Sequence, residues 1–239
     1  MKTSTLRSRI VHYWRKEIRS LLILGVVLFS IRSSLADWND VPSGSMNPTI
    51  IEGDRVFVNK LAYDLKVPFT TWHIAQWSNP QRGDIVVFYS PADGTRLVKR
   101  VIGLPGDTIE LRNNQLIING KPVDYTSLNP AVSTQLPTGE QQQSQFATEQ
   151  LPQHSHAVMA IPAISAAKRD FGPVTVSADH YFMMGDNRDN SFDSRYYGAV
   201  ERSRIVGKAT DVVFSINKND HWLPRSQRFF KALDPKESQ

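Results

Sequence analysis

The sequence predicts a mainly β protein, an antiparallel β-sheet domain preceded by a single N-terminal transmembrane helix. Three observations support this fold class. One apolar run near the N-terminus is the only segment of membrane-spanning length. Beyond residue 50, short apolar or alternating runs rich in Val, Ile and Phe recur between turn sequences. No long amphipathic helix pattern follows the apolar run, which argues against an α/β arrangement.

The transmembrane helix is expected over residues 18–36. Its centre, residues 20–31, has the sequence SLLILGVVLFSI and carries no charge. A bilayer is spanned by about 20 residues, and the nineteen residues of this segment come close to that length. The alternative is a cleavable signal peptide, because Ser34-Leu35-Ala36 has the small residues of a cleavage site. Cleavage there would release the rest of the chain from the membrane.

The positive charge of the chain is concentrated before this helix and at its first turn. Residues 1–19 carry a net charge of +5, which equals the net charge of the whole chain. Because basic residues favour the cytoplasmic side of a membrane, residues 1–17 are expected in the cytoplasm and residues 37–239 outside it. The neutral remainder offers no basic face for nucleic acid. The absence of cysteine excludes disulfides, thiolate catalysis and cysteine zinc sites, and we expect neither a metal nor a cofactor.

A serine-bearing turn, Pro42–Thr49, follows the predicted helix closely. Its sequence, PSGSMNPT, places Ser43 and Ser45 among glycine and proline residues, where a side chain can be held exposed. A serine hydroxyl is a weak nucleophile unless a base activates it. The six histidines of the chain form no recognisable Ser/His/Asp arrangement. A lysine is therefore the candidate base.

The sequence pattern predicts seven strands in the extracytoplasmic domain. Asn113-Asn114 and Asn119-Gly120 are turn signals between neighbouring strands, and the second is a strong hairpin signal. The predicted strands are Arg55–Asn59, Asp84–Tyr89, Arg96–Ile102, Thr108–Leu111, Gln115–Ile118, Tyr181–Met184 and Thr210–Ile216.

An inserted lobe or long-loop region is expected at about residues 122–179. Its central part, residues 126–166, contains seven glutamines and several prolines. Glu140 and Glu149 are the two charged residues in that part, apart from histidines. This composition is typical of an insertion with long, partly mobile loops.

The strand predicted over Arg96–Ile102 contains the candidate base. Alternate residues of a strand share a face, so Lys99 shares an apolar face with Leu97 and Val101, and Arg100 lies on the opposite face. Desolvation of an ammonium lowers its pKa, and a neutral lysine can act as a general base near pH 7. The ordinary alternative is a solvent-facing lysine, since lysines are mostly exposed.

A polar patch, Gly185–Arg195, follows the strand Tyr181–Met184. It combines acids, amides, two arginines and two serines after a glycine. Such stretches are usually loops that satisfy their own backbone. A calcium loop is not indicated, because the glycine comes first and no glutamate ends the stretch. A polar network that orients another site is the functional interpretation.

Taken together, these motifs resemble the bacterial type I signal peptidases, which are membrane-anchored Ser/Lys peptidases. The resemblance covers the predicted helix and, in order, Pro42–Thr49, Gly53–Asn59, Arg82–Phe88, Lys99–Asp107 and Gly185–Arg195. It implies a serine endopeptidase that cleaves signal peptides from exported pre-proteins after Ala-x-Ala-like sites, through an acyl-enzyme. The work would take place at the outer face of the cytoplasmic (inner) membrane. The implied partners are pre-proteins and the lipid bilayer, with no nucleic acid and with the monomer as the functional form. Residues 126–166 match no part of the family pattern.

The resemblance also implies a role for each candidate site residue. Ser45 is the nucleophile and Lys99 the general base, while the Ser45 N–H and the Ser43 hydroxyl form the oxyanion hole. Ser191 hydrogen-bonds and orients the lysine, and Met46 lines the substrate cleft. The supporting ion pairs are Asp193 with Arg195 and Asp186 with Arg100.

Two other functions fit the same motifs. One is a specialised Ser/Lys peptidase that matures a single pilus or conjugation component. The other is a non-catalytic, anchored β-rich assembly protein in which Ser45 and Lys99 are structural. Two aromatic segments, residues 71–77 and 221–231, are candidates for contact with the lipid interface, and ordinary packing in the core or in a satellite cluster is the alternative for each.

Overall fold

The computed structural model describes residues 14, 17–26, 36–67, 70, 72–218 and 221–233. Strands dominate this part of the chain, and the named strands pair in antiparallel fashion, which confirms the prediction of a mainly β fold. The strands are β1 Ala36–Asp40, β2 Asp54–Asn59, β3 Asp64–Lys66, β4 His73–Gln76, β5 Ile85–Tyr89, β6 Arg96–Gly103, β7 Thr108–Arg112, β8 Gln115–Ile118, β9 Lys121–Pro122, β10 Asp124–Thr126, β11 Gln145–Leu151, β12 His154–Ala160, β13 Phe171–Thr175, β14 His180–Met184, β15 Val200–Glu201, β16 Ile205–Asn217, β17 Leu223–Pro224 and β18 Lys231–Ala232. The helices are α1, residues 17–26, and α2 Pro130–Ser133, α3 Thr138–Gln143 and α4 Ser194–Tyr197.

The structure covers the predicted transmembrane helix only in part. Residues 18–26 lie in α1, and residues 27–35 fall outside the described residues. Over the described ranges, no helix has both the length and the apolar composition that crossing a membrane requires. Ala36, the last residue of the predicted helix, belongs to β1 and pairs with Asn59 of β2. The predicted helix therefore extended one residue too far, into a strand of the sheet.

The main sheet places β6 in its interior, between β5 and β14. The strand order is β1-β2-β16-β5-β6-β14-β15, with β17 and β18 paired to β16. From Val98 to Gly103, β6 is buried. Leu97 and Val101 pack in one apolar cluster and Val98 in another, as the alternation of a strand requires. A lysine in this strand therefore has little access to water.

Two predicted turns have the backbone that their sequences favour. Asn113 and Asn114 have φ of 47° and 64°, and Asn119 and Gly120 have φ of 52° and 76°. Positive φ at both central residues is the type I′ turn of tight hairpins. These turns join β7 to β8 and β8 to β9, with Arg112 opposite Gln115 across the first of them.

The region predicted as a long-loop lobe is largely regular. Strands β10, β11 and β12 form a three-stranded sheet, and α2 and α3 lie between β10 and β11. β13 pairs with β7, so this end of the region joins the small sheet β13-β7-β8-β9. β12 approaches the polar patch through a bridge between Met159 and Asn187. The lobe is thus connected directly to the segment that the sequence singled out.

Several aromatic side chains of the two aromatic segments are exposed, whereas Phe229 is half-buried and packs against Phe214 with ring centroids 4.7 Å apart. Trp72, Ile74 and Trp77 lie on or beside the β3–β4 ribbon, and Trp72 is 74% exposed. In the C-terminal segment, Trp222 is 64% and Phe230 77% exposed. The core-packing alternative therefore does not hold for these side chains.

Candidate active site

The serine-bearing turn is held from two sides. Residues Gly44–Met46 form one turn of 3₁₀ helix, closed by the Asn47 N–H, which donates to the Gly44 carbonyl at 3.1 Å. Asn187 clamps the same turn, since its N–H donates to the Ser45 carbonyl at 3.2 Å and its Nδ2 to the Gly44 carbonyl at 3.1 Å. The backbone of Ser45 is therefore fixed by hydrogen bonds, and its side chain is half-buried.

Lys99 of β6 meets Ser45 although 54 residues separate them. The Lys99 ammonium lies 2.7 Å from the Ser45 hydroxyl oxygen and 3.1 Å from the Val98 carbonyl oxygen. Lys99 is only 3% exposed, so the solvent-facing alternative is wrong. The serine and the base predicted from the sequence lie within hydrogen-bond distance.

Burial changes the acidity of this lysine. Desolvation, with a smaller contribution from the charge of Arg195, lowers the pKa of Lys99 to about 8. The carboxylates of Asp193 and Asp186 oppose this effect but do not cancel it. A lysine with such a pKa is neutral in an appreciable fraction of molecules near neutral pH, which is what a general base requires.

Both supporting ion pairs are present and buried. Asp186 accepts from Arg100 Nε at 2.9 Å and from Nη2 at 2.8 Å, and it also accepts from Thr49 Oγ1 at 2.5 Å. Asp193 accepts from Arg195 Nε and Nη2, each at 2.8 Å. Burial by itself raises the pKa of the Asp193 carboxyl, but Arg195, the Gly185 N–H and Ser191 together outweigh burial and the pKa is lowered. Asp193 also accepts the Gly185 N–H at 3.0 Å, so this carboxylate ties α4 to the end of β14.

Gly185 brings the serine-bearing turn and the polar patch into contact. A Cβ at this position would lie 2.4 Å from the Ser45 carbonyl oxygen and 2.3 Å from the Ser191 hydroxyl. Neither distance leaves room for a side chain. A glycine is therefore required where the two segments meet, for reasons of space.

The structure differs from the sequence prediction at Ser191. Its hydroxyl is buried and has no hydrogen-bond partner of normal geometry among the described residues, so the predicted bond to Lys99 is not present here. The hydroxyl nevertheless lies close enough to the Asp193 carboxylate to help lower its pKa. In this structure the hydrogen bonds of Lys99 go to Ser45 and Val98 instead.

The structure corrects the prediction that Met46 lines the substrate cleft, while the oxyanion-hole role of Ser43 stays a prediction. Met46 is 1% exposed and packs in the apolar cluster that includes Val41, Ile50 and Val98. An apolar thioether directly beside the core is drawn inward, so it presents no surface to a substrate cleft. Ser43 is exposed, caps no helix N–H, and its hydroxyl oxygen lies 3.5 Å from that of Ser45.

Sequence reasoning missed the contacts that the lobe makes with the site. Glu149 of β11 holds Arg188 through two short hydrogen bonds of 2.6 and 2.7 Å. Glu140 of α3 accepts from Asn47 Nδ2 at 3.0 Å. One signal was available in the sequence, since these are the two acidic residues of a stretch that is otherwise nearly uncharged.

Comparison with known proteins gives one consistent family. A family model described as signal peptidase, peptidase S26, matches residues 14–214. Signal peptidase I of Pseudomonas fluorescens is 39% identical over 205 residues, which cover 81% of this chain and 69% of that protein. Signal peptidase I of Buchnera aphidicola subsp. Schizaphis graminum is 31% identical over 246 residues, 89% of this chain and 79% of that protein. A crystal structure of a signal peptidase I from Enterococcus faecalis aligns with 33% identity and a TM-score of 0.36, over 56% of this chain and 98% of that one.

Proposed function

The chain belongs to the signal peptidase family, peptidase S26, and is a serine endopeptidase; on this premise we propose that it removes signal peptides from exported pre-proteins with Ser45 as nucleophile and Lys99 as general base. One observation carries the assignment of residues. The Ser45 hydroxyl and the buried Lys99 amine are 2.7 Å apart. A serine paired with a lysine is a known variant of the Ser/His/Asp arrangement.

The first half of the reaction forms the acyl-enzyme. Neutral Lys99 takes the proton of the Ser45 hydroxyl while Oγ attacks the carbonyl carbon of the scissile bond. The tetrahedral intermediate collapses when the C–N bond breaks, and the Lys99 ammonium gives its proton to the departing amine. The signal peptide is then esterified to Ser45, and Lys99 is neutral again.

The second half releases the signal peptide. Neutral Lys99 takes a proton from a water molecule, whose oxygen attacks the ester carbon. The bond to Ser45 Oγ breaks, Oγ takes the proton back from Lys99, and the signal peptide leaves as a carboxylic acid that ionises. One base thus serves both halves, which requires a pKa close to the working pH.

The negative oxygen of each intermediate needs hydrogen-bond donors. The first N–H groups of a helical turn have no partner inside that turn, so the Ser45 N–H is suited to donate to this oxygen. The Ser43 hydroxyl is the second donor in the proposal, because it is exposed and has no capping role. Loss of one such donor typically slows a reaction about 10²–10³-fold.

The cleavage rate is expected to rise with pH as Lys99 loses its proton. Below a pKa of about 8 the lysine is protonated and cannot accept the serine proton, so kcat/KM should fall about tenfold for each pH unit. The measurement is kcat/KM for a labelled pre-protein over a pH series, with the full chain in detergent and circular dichroism at each pH to follow folding. A rate that does not change across pH 8 while the fold is intact would contradict Lys99 as the base.

The exposed aromatic residues support work at a lipid surface. We propose that the segment from residue 18 to the residue before Ala36 is a single anchor, with the N-terminus in the cytoplasm and the catalytic domain on the outer side of the membrane. Trp72, Ile74 and Trp77, which we call the aromatic ribbon, present apolar side chains to the surroundings. Tryptophan is favoured where a bilayer meets water, so the ribbon is suited to rest on the membrane that holds the substrate.

Replacement of Trp72 and Trp77 by serine is expected to slow cleavage of a pre-protein embedded in vesicles at least tenfold, because full burial of one large apolar side chain contributes roughly 1.5–3 kcal/mol and a tenfold change corresponds to about 1.4 kcal/mol. Cleavage of a short soluble peptide by the same variant should remain at the wild-type rate. Tyr89→Ser, at an exposed aromatic residue outside the ribbon, is the matched control. Equal slowing with both substrates would count against a lipid contact, since it would indicate damage to the catalytic site.

A further inference from the structure

The lobe contacts the nucleophile turn through a residue that has no place in the reaction. Glu140 lies on α3, in the region that matches no motif of the family resemblance. Its carboxylate oxygen Oε2 accepts a hydrogen bond from Asn47 Nδ2 at 3.0 Å, across 93 residues of sequence. Asn47 is two residues from Ser45 and is 4% exposed. A surface acid of the lobe thus reaches a buried side chain beside the nucleophile.

Asn47 is packed against the turn that carries Ser45. A Cβ built on Gly44 would lie 2.8 Å from Asn47 Nδ2, so the amide lies directly on the Gly44 backbone. The Asn47 N–H also closes the 3₁₀ turn on the Gly44 carbonyl. Any movement of the Asn47 side chain is therefore transmitted to the residue that precedes the nucleophile.

Glu140 is what fixes the orientation of that side chain. The other amide atom, Asn47 Oδ1, is buried and has no hydrogen-bond partner in the described part of the chain. Without Glu140 both polar atoms of a buried amide would lack a protein partner, at a cost of about 1–3 kcal/mol for each unsatisfied group. The turn would relax to relieve this cost.

The segment that carries Glu140 is itself anchored. Leu136 is buried in a cluster with Ile51 and Met159. Gln135 Oε1 accepts from Arg228 Nη1 and from Lys231 Nζ. The segment that accepts the hydrogen bond from Asn47 is therefore held in place both by apolar packing and by hydrogen bonds.

We propose that Glu140 is a positioning residue, which acts through Asn47 to hold the Ser45 turn at the distance from Lys99 that proton transfer requires. This inference rests on the proposed function. It assigns the lobe a role in catalysis, since the lobe supplies one side of the support for the nucleophile. Reacting groups displaced by about 1 Å can lose about 10²-fold in rate, so a partial relaxation is expected to cost less than this.

Glu140→Ala is expected to lower kcat for a labelled pre-protein about tenfold and to leave KM within about twofold, because geometry and not substrate binding is affected. Glu140→Gln retains an oxygen acceptor for Asn47 Nδ2 and is expected to restore most of kcat. Gln142→Ala, on the same helix and exposed, is the matched control. All variants are made in the full chain in detergent, with wild type and Ser45→Ala alongside and thermal unfolding recorded for each.

A double-mutant cycle separates positioning from a general effect on folding. If Glu140 acts through Asn47, Glu140→Ala adds no further loss of kcat in an Asn47→Ala background, whereas independent effects would multiply. The inference is overturned by a Glu140→Ala variant with wild-type kcat, by multiplicative losses, or by equal losses in the alanine and glutamine variants that follow their melting temperatures. If wild type and Ser45→Ala cleave equally, the proposed function fails first and the positioning role falls with it.

Discussion

Ser45→Ala and Lys99→Met are each expected to slow cleavage of a labelled pre-protein about 10⁴-fold or more, because removal of either member of a nucleophile–base pair abolishes covalent catalysis. Ser45→Ala removes the attacking oxygen. Lys99→Met preserves the length and apolar stem of the side chain but removes the amine that lies 2.7 Å from that oxygen. The two losses should not multiply in the double variant, since the residues act as a unit.

The Lys99→Met variant is also expected to be more stable than wild type. Below pH 8 the folded protein holds a buried ammonium, and the shift of the lysine pKa from 10.5 to about 8 corresponds to roughly 3 kcal/mol of unfolding free energy. In the folded state the proton leaves at about pH 8 and in the unfolded state only near pH 10.5, so this penalty is complete below pH 8 and disappears as the pH rises towards 10.5. The stability gained by Lys99→Met should therefore be full below pH 8 and should disappear as the pH rises towards 10.5.

The measurements are kcat/KM and thermal unfolding at neutral and alkaline pH. Ser165→Ala and Lys121→Met, at exposed positions, are the matched controls and should change neither quantity. Cleavage retained by Ser45→Ala or Lys99→Met would overturn the assignment of the dyad. A Lys99→Met variant that is less stable than wild type would show instead that the lysine stabilises the fold.

Local patterns singled out Ser45 and Lys99 as candidates, and the resemblance to the signal peptidases paired them. The alternation of β6 placed Lys99 and Arg100 on opposite faces, and in the structure they contact Ser45 and Asp186 respectively. The hairpin turns at Asn113-Asn114 and Asn119-Gly120 were also predictable, because positive φ at asparagine and glycine is a local property. What local patterns predict well is therefore the element and the face on which a residue lies.

Contacts between distant segments were not predictable in the same way. Glu140 meets Asn47 across 93 residues, and Glu149 meets Arg188 across 39. No periodicity relates such residues, and the lobe had no motif that could suggest a register. The inward turn of Met46 and the unpaired hydroxyl of Ser191 depend on side-chain packing around the turn, which a sequence pattern does not specify.

Asp193→Asn is expected to destabilise the protein and, at the same time, to shift its activity to lower pH. Asp193 and Arg195 form a pair with both side chains fully buried, and loss of one charge from a buried pair costs about 3–5 kcal/mol. The Asp193 carboxylate also raises the pKa of Lys99. Without it the pKa of Lys99 falls below about 8, because Asp186 is then the one remaining carboxylate that opposes desolvation and Arg195.

Asp54→Asn provides the control that separates these two effects. Asp54 pairs with Arg228, again with both side chains buried, and Asp54 is not one of the charges that set the Lys99 pKa. The Asp54→Asn variant should lose about as much stability as Asp193→Asn, while the rising limb of its pH–rate profile should lie at the same pH as that of wild type. If both variants kept the wild-type pH dependence, Asp193 would be a structural residue alone. A shift confined to Asp193→Asn would mean that the Asp193 carboxylate keeps a larger fraction of Lys99 protonated at neutral pH. Wild type would then cleave more slowly at neutral pH, while the buried Asp193–Arg195 pair stabilises the site.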